Sequence, residues 1–170
     1  MLKPGDVAPD FDLPAAAGGK TQRVSLARQK GEMVVLFFYP KDFSFVCPTE
    51  INGFQRMRAD FAAEKTEIIG ISCDSVQTHL EWMRELGGID YPLVADEGGA
   101  LARSYGAFNE RESVALRATY ILDSQRQVLY SVASHANVGR SVHETLRVVR
   151  ALRSGRMCPA DWQPVAETAA

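Results

Sequence analysis

Six consecutive apolar residues, Val34-Val35-Leu36-Phe37-Phe38-Tyr39, restrict the fold of this chain more than any other stretch. A short run rich in β-branched and aromatic side chains, with no polar alternation, predicts a strand buried on both faces. Pro40 ends the run, residues 41–46 form a loop, and Cys47-Pro48-Thr49-Glu50 opens a helical pattern. Ile51, Phe54, Met57 and Phe61 then recur at helical spacing with charged residues between them, which predicts one amphipathic helix. Pro48 suits the first helical position, and Glu50 complements the helix dipole from the first turn. Cys47 then falls at the N-cap.

The remaining segments supply neighbours for the central strand. Residues 67–72 read as a second buried strand. Strand, helix and strand in that order make a βαβ unit with parallel strands, so the fold class is α/β. Functional residues in such sheets gather at the C-terminal strand ends, where Pro40 to Cys47 and Cys73-Asp74-Ser75 fall. Val76 to Leu86 predicts a helix capped by Ser75, residues 91–96 an extended segment and residues 98–105 another helix. Arg117–Asp123 and Val128–Val132 predict an antiparallel hairpin. Ser141 and Glu144 form a capping-box pattern for a helix that stops at Ser154-Gly155. Residues 1–26 read as an extended lead-in with an edge strand near Phe11–Leu13 and another strand at Arg23–Leu26. The expected organisation is a single domain over 1–170, with 155–170 a C-terminal arm.

Charge and cysteine usage remove several functions. Nineteen basic against twenty-one acidic residues leave a net charge of −2, which argues against a nucleic-acid partner. No apolar run approaches the roughly 20 residues of a membrane span. The opening MLKPGDVAPDFDLP has acids and prolines where an export signal needs an apolar core, so a cytoplasmic location is expected. Thiols are kept reduced there. The cysteines stand at 47, 73 and 158 with no Cys-x-x-Cys, which argues against a zinc site and a dithiol reductase motif. His79, His135 and His143 lack metal-ligand spacing and read as surface or packing residues. No metal or cofactor is expected. Cys47 has two readings from position alone: a thiol whose thiolate the helix start favours, or a small packed core residue. Cys73 has two readings as well, a second reactive thiol or a packed cysteine just past a strand, and the packed one is favoured.

Pro40, Ser44 and Cys47 match a Pro-x-x-x-Thr/Ser-x-x-Cys pattern, and FYPKDFSFVCPTE resembles the active-site segment of the typical two-cysteine peroxiredoxins. That family includes the bacterial alkyl hydroperoxide reductase C-subunits. APDF, the DSxxxHxxW stretch over residues 74–82, ATYILD, VGRSVHETL and MCPADW extend the likeness over nearly the whole chain. The resemblance implies a thioredoxin-like fold, with a central mixed sheet and helices on both faces. It implies a peroxidase acting on hydrogen peroxide and alkyl hydroperoxides. Cys47 would be the nucleophile, Ser44 a hydroxyl partner of the peroxide, Pro40 a shield and Arg117 the fixed cation. Arg140 would orient the site through Glu50.

The resemblance also implies that Cys158 of a partner subunit resolves the sulfenic acid of Cys47 as a disulfide. A homodimer, with a ring of five dimers above it, follows from that likeness. Thioredoxin or a flavoprotein disulfide reductase would supply electrons. The chain departs from overoxidation-sensitive relatives, which carry GGLG and a Tyr-Phe tail: it has Gly87-Gly88-Ile89-Asp90 and no Tyr-Phe after Cys158. Resistance to overoxidation is therefore expected. Two other readings are a thiol–disulfide oxidoreductase acting on proteins, and a chaperone-like ring or redox relay.

Overall fold

The structure is a computed structural model and describes residues 1–164. β1 (Asp12–Ala17) and β2 (Lys20–Ser25) form a hairpin turned by Gly18 and Gly19, both at positive φ. β3 (Met33–Phe38) leads to α1 (Cys47–Arg56), α2 (Arg58–Ala63), β4 (Thr66–Ser72) and α3 (Val76–Glu85). Next come β5 (Leu93–Ala95), α4 (Ala100–Ser104) and a short antiparallel pair, β6 (Phe108–Asn109) and β7 (Val114–Ala115). The hairpin β8 (Arg117–Asp123) and β9 (Val128–Ser134) precedes α5 (Val142–Ser154). The main sheet runs β2-β1-β5-β4-β3-β8-β9. β3 pairs parallel with β4 and antiparallel with β8, so the sheet is mixed.

Alternation along β3 divides the core in two. Val34, Leu36 and Phe38 join a cluster with Leu101, Ala102 and Tyr105, and so face α4. Val35, Phe37 and Tyr39 join Phe54, Phe61, Trp82 and Val149, and so face α1, α2, α3 and α5. Every β3 side chain is buried, as an uninterrupted apolar run requires. Helices thus cover both faces, four of them on the side of Cys47. No helix among the described residues is long and apolar enough to cross a membrane.

Four local expectations change. The helix predicted as continuous to Phe61 is two helices: α1 ends at Met57, where ψ is 7°, and α2 restarts at Arg58. Ile51, Phe54 and Phe61 still reach one cluster, so their spacing hides the break. Cys47 is the first residue of α1 and Val46 its N-cap, with no side-chain cap bond. Pro48 is therefore second, another position whose N–H needs no helical partner. The capping box at α5 is half formed. Ser141 Oγ accepts from Glu144 N at 3.1 Å, but the Glu144 carboxylate accepts from Arg147 instead. Finally, β1 lies one place inside the sheet, paired with both β2 and β5, and β2 is the edge.

Candidate active site

Strand directions gather the site. β3 is antiparallel to β8, with Phe38 opposite Ala118, so the end of β3 and the start of β8 share one edge of the sheet. β4, parallel to β3, ends at the same edge. The loop after β3, the turn after β4 and Arg117 at the head of β8 therefore meet there, and α1 starts from that edge with Cys47.

Cys47 is fully buried. Its Sγ lies 3.7 Å from both Nη1 and Nη2 of Arg117. The Cys47 N–H donates to Ser44 Oγ at 3.3 Å. Arg117 is fixed from behind: Nε and Nη2 donate to the Ala136 carbonyl at 3.2 and 2.8 Å, and Nη1 donates to Glu50 Oε2. Glu50 follows Cys47 by three residues, one helical turn along the same face. Its other oxygen, Oε1, accepts from Arg140 Nε at 3.0 Å and from the Arg140 backbone N–H at 2.6 Å. Arg140 then donates to Ala118 O and Thr119 Oγ1 at 3.0 and 2.9 Å, and to Phe38 O. Its guanidinium stands 5.1 Å over the Phe37 ring. Arg140 thereby ties the end of β3, the start of β8 and α1 into one unit.

Glu50 and Arg117 are buried, and Arg140 shows little of its side chain to solvent. Two guanidinium groups against one carboxylate leave one positive charge in excess beside the sulfur. In a water-poor setting such an excess acts strongly on any neighbouring anion. Burial draws Arg140 down from its ordinary value while Glu50 opposes that.

Of the residues singled out from sequence, Ser44, Cys47, Glu50, Arg117 and Arg140 are brought together. Pro40 is half-buried at the head of the loop that carries Ser44. Cys158 stands apart: its Sγ contacts Ser154 Oγ at 3.5 Å and Ala151 O at 3.9 Å, at the end of α5. All three cysteines are free thiols. Cys73 packs half-buried against the other core cluster, and burial pushes its thiol up to about 11, as suits a packed residue. Nothing in the sequence marks the Ala136 carbonyl, since a backbone acceptor leaves no residue-type signal. Thr119 and the Asp42–His79 contact were equally silent: their partners lie 21 and 37 residues away in sequence. Among the described residues no His, Cys, Asp and Glu cluster suits a metal ion.

Residues 4–131 match the AhpC/TSA family. Peroxiredoxin 2 of Drosophila melanogaster is 40% identical over 171 residues, covering 95% of this chain and 88% of that protein. The reduced 2-Cys peroxiredoxin of Plasmodium vivax superposes with a TM-score of 0.89 at 34% identity, covering 96% of this chain and 90% of that one. Mycobacterium tuberculosis AhpC gives 0.87 at 32% identity, covering 96% and 99%. Sequence and fold therefore lead to the same place: this chain belongs to the AhpC/TSA family, is a peroxiredoxin of the two-cysteine type with a thioredoxin-like fold, and is a thiol peroxidase.

Proposed function

We propose that Cys47 is the thiol that reduces hydrogen peroxide and alkyl hydroperoxides. The observation that carries this reading is the position of Cys47 Sγ, 3.7 Å from both terminal nitrogens of an arginine that Ala136 and Glu50 hold still. The thiolate attacks one peroxide oxygen in line. An S–O bond forms and the O–O bond breaks. The second oxygen leaves as hydroxide or alkoxide and takes a proton, and the sulfur becomes sulfenic acid. The excess positive charge favours the anionic sulfur and the charge that develops on the leaving oxygen. The Ser44 hydroxyl accepts the Cys47 N–H and keeps its own proton for a peroxide oxygen. Pro40 shields the sulfur from water, and Arg140 acts through Glu50.

Cys158 of a second copy then condenses with the sulfenic acid, releasing water and forming an intersubunit disulfide. The seat of Cys158 at the end of its own α5, away from Cys47, supports a partner rather than the same chain. The working unit is a homodimer, with a ring of five dimers as the larger assembly. A thioredoxin-type donor or a flavoprotein reductase restores both thiols, in the cytoplasm. Non-reducing gel electrophoresis after one equivalent of hydrogen peroxide tests the scheme on the parent, Cys47→Ser and Cys158→Ser. A dimer band in the parent alone is expected. A monomer band throughout, with Cys47 still required for peroxide consumption, would discard Cys158 as intersubunit resolver. Consumption by Cys47→Ser would overturn the whole reading.

Resolution requires the sulfur to leave its burial, and α1 is built in two parts for this. Cys47 and Glu50 hold the first turn through Arg117 and Arg140, whereas Ile51 and Phe54 hold the rest by apolar packing. Val46 offers no side-chain cap. Oxidation alters the Cys47 contact and leaves the apolar anchors in place. Hydrogen exchange at residues 49–50 is therefore expected to quicken on oxidation while residues 52–56 keep their protection. Equal protection of both parts in the two redox states would exclude the unwinding.

A further inference from the structure

The loop between β3 and α1 has an inverted distribution of polarity. Phe43 is 50% and Phe45 96% exposed, whereas Asp42 is 1% exposed. Phe43 also holds a left-handed φ of 53°, which a bulky residue keeps only where its surroundings impose it. Polar contacts of a buried aspartate, with only the inner half of Phe43 resting near Trp82, set the path of this loop.

Those contacts are complete. Asp42 Oδ1 accepts from the Tyr39 hydroxyl at 2.8 Å, and Oδ2 lies 2.7 Å from Nδ1 of His79 on α3. The Asp42 N–H donates to Asp74 Oδ2 at 2.9 Å, which also accepts from Ser72 Oγ at 2.7 Å. His79 is fully buried, and its Nε2 faces the Val94 carbonyl at 3.2 Å. A carbonyl only accepts, so Nε2 carries a proton. Nδ1 and Oδ2 at hydrogen-bond distance require a further proton between them, whichever atom formally owns it. The pair thus shares one proton and has no net charge. The other titratable groups facing it are Tyr39, from the end of β3, and Asp74, from the turn after β4.

We propose that Asp42 and His79 are positioning residues for the peroxidase reaction: their shared proton clasps the loop and so sets Ser44 and Cys47 beneath Arg117. This rests on the reading of Cys47 as nucleophile. The path is short, because Asp42 precedes Ser44 by two residues and Ser44 Oγ takes the N–H of Cys47. Loss of the proton leaves a carboxylate and a nitrogen lone pair facing each other inside the protein, with a buried negative charge uncompensated. Burial pushes the Asp42 carboxyl up from its ordinary value, against the pull of His79. A raised folded-state value means that the contribution is present at low pH and is lost as pH rises through that value. Thiolate formation accelerates the reaction as pH rises. The two effects therefore have opposite signs, and the clasp shows as a loss of rate where the pair gives up its proton.

The test is the second-order rate constant of Cys47 oxidation by hydrogen peroxide, measured by stopped flow from about pH 5 to about pH 10. His79→Leu removes both ring hydrogen bonds and is expected to lower the constant by about tenfold or more. The amide nitrogen of His79→Asn supplies one donor to Asp42 but cannot share its proton or reach Val94, and is expected to recover only part of the loss. Asp42→Asn donates to Nδ1 through a proton it cannot lose, and is expected to abolish the loss of rate with rising pH that the clasp gives the parent. It is nearly isosteric, so it carries the test alone if His79→Leu fails to fold. A His79→Leu constant within about twofold of the parent, no recovery in His79→Asn, or identical pH profiles of the parent and Asp42→Asn would each overturn the proposal. Peroxide consumption by a Cys47→Ser control would instead overturn the reading of Cys47.

Discussion

Replacing Arg117 with methionine is expected to lower the second-order rate constant for hydrogen peroxide by about 10²- to 10³-fold. Methionine is unbranched and apolar and fills the space of the arginine stem, so the change removes the charge and all the donors. Both terminal nitrogens stand 3.7 Å from the Cys47 sulfur, and among the described residues no other cation contacts it. A fixed donor in a buried site acts on developing charge without waiting for solvent to reorganise. Glu50 retains Arg140 as its partner in this variant, so the carboxylate is not orphaned. Arg117→Lys is expected to recover only part of the rate. One ammonium cannot serve the Ala136 carbonyl, Glu50 and the sulfur with the fork that a guanidinium presents. Stopped-flow rates at matched pH, with thermal melts to confirm folding, decide the matter. A fall of less than about tenfold would remove Arg117 from the reaction.

The second large effect is on stability. Glu50→Ala is expected to destabilise the fold by about 3–5 kcal/mol, because it leaves two buried guanidinium groups with no counter-charge. The backbone N–H of Arg140 loses its acceptor in the same step. For a chain of this size the melting temperature should fall on the order of 10 °C. Urea unfolding reads the same change as a lower midpoint at unchanged slope. Adding Arg140→Ala should cost less than the sum of the two single changes, since each removes part of one cluster. A loss below about 1 kcal/mol would show that the arginines find other partners.

What could be read from sequence was what local pattern or the family likeness encodes. The run Val34–Tyr39 specified the doubly covered strand, because burial on both faces removes polar alternation. The helix after Cys47 was legible, but its break at Met57 was not. Ile51, Phe54 and Phe61 keep their common face across the break, so periodicity carries no mark of it. Pro48 located the helix start to within one residue, since it is tolerated at either of the first two positions. Glu144 illustrates competition: Arg147, one turn on, takes the carboxylate that the capping pattern assigns to the helix start. Arg117, Arg140 and Glu50 were named through the family likeness, because ion pairs between residues 67 and 90 positions apart leave no periodic trace. Asp42 and His79 stand inside the matched stretches FYPKDFSFVCPTE and DSxxxHxxW, but their contact across 37 residues is not read from either, and His79 reads from its spacing as a surface or packing residue.

The inverted loop also has a thermal consequence. Exposing hydrocarbon raises heat capacity, whereas exposing polar groups lowers it. Phe45 already lies in solvent and Phe43 half so, and undocking the loop uncovers Asp42 and its polar contacts with little apolar area beyond the half of Phe43 that rests near Trp82. The equilibrium between docked and undocked loop therefore lacks most of the curvature with temperature that apolar burial gives the rest of the fold. Hydrophobic association weakens on cooling. The two cores flanking β3 depend on that association, and the clasp at Asp42 does not. The loop's own docking is therefore expected to weaken less on cooling than the apolar packing beneath it.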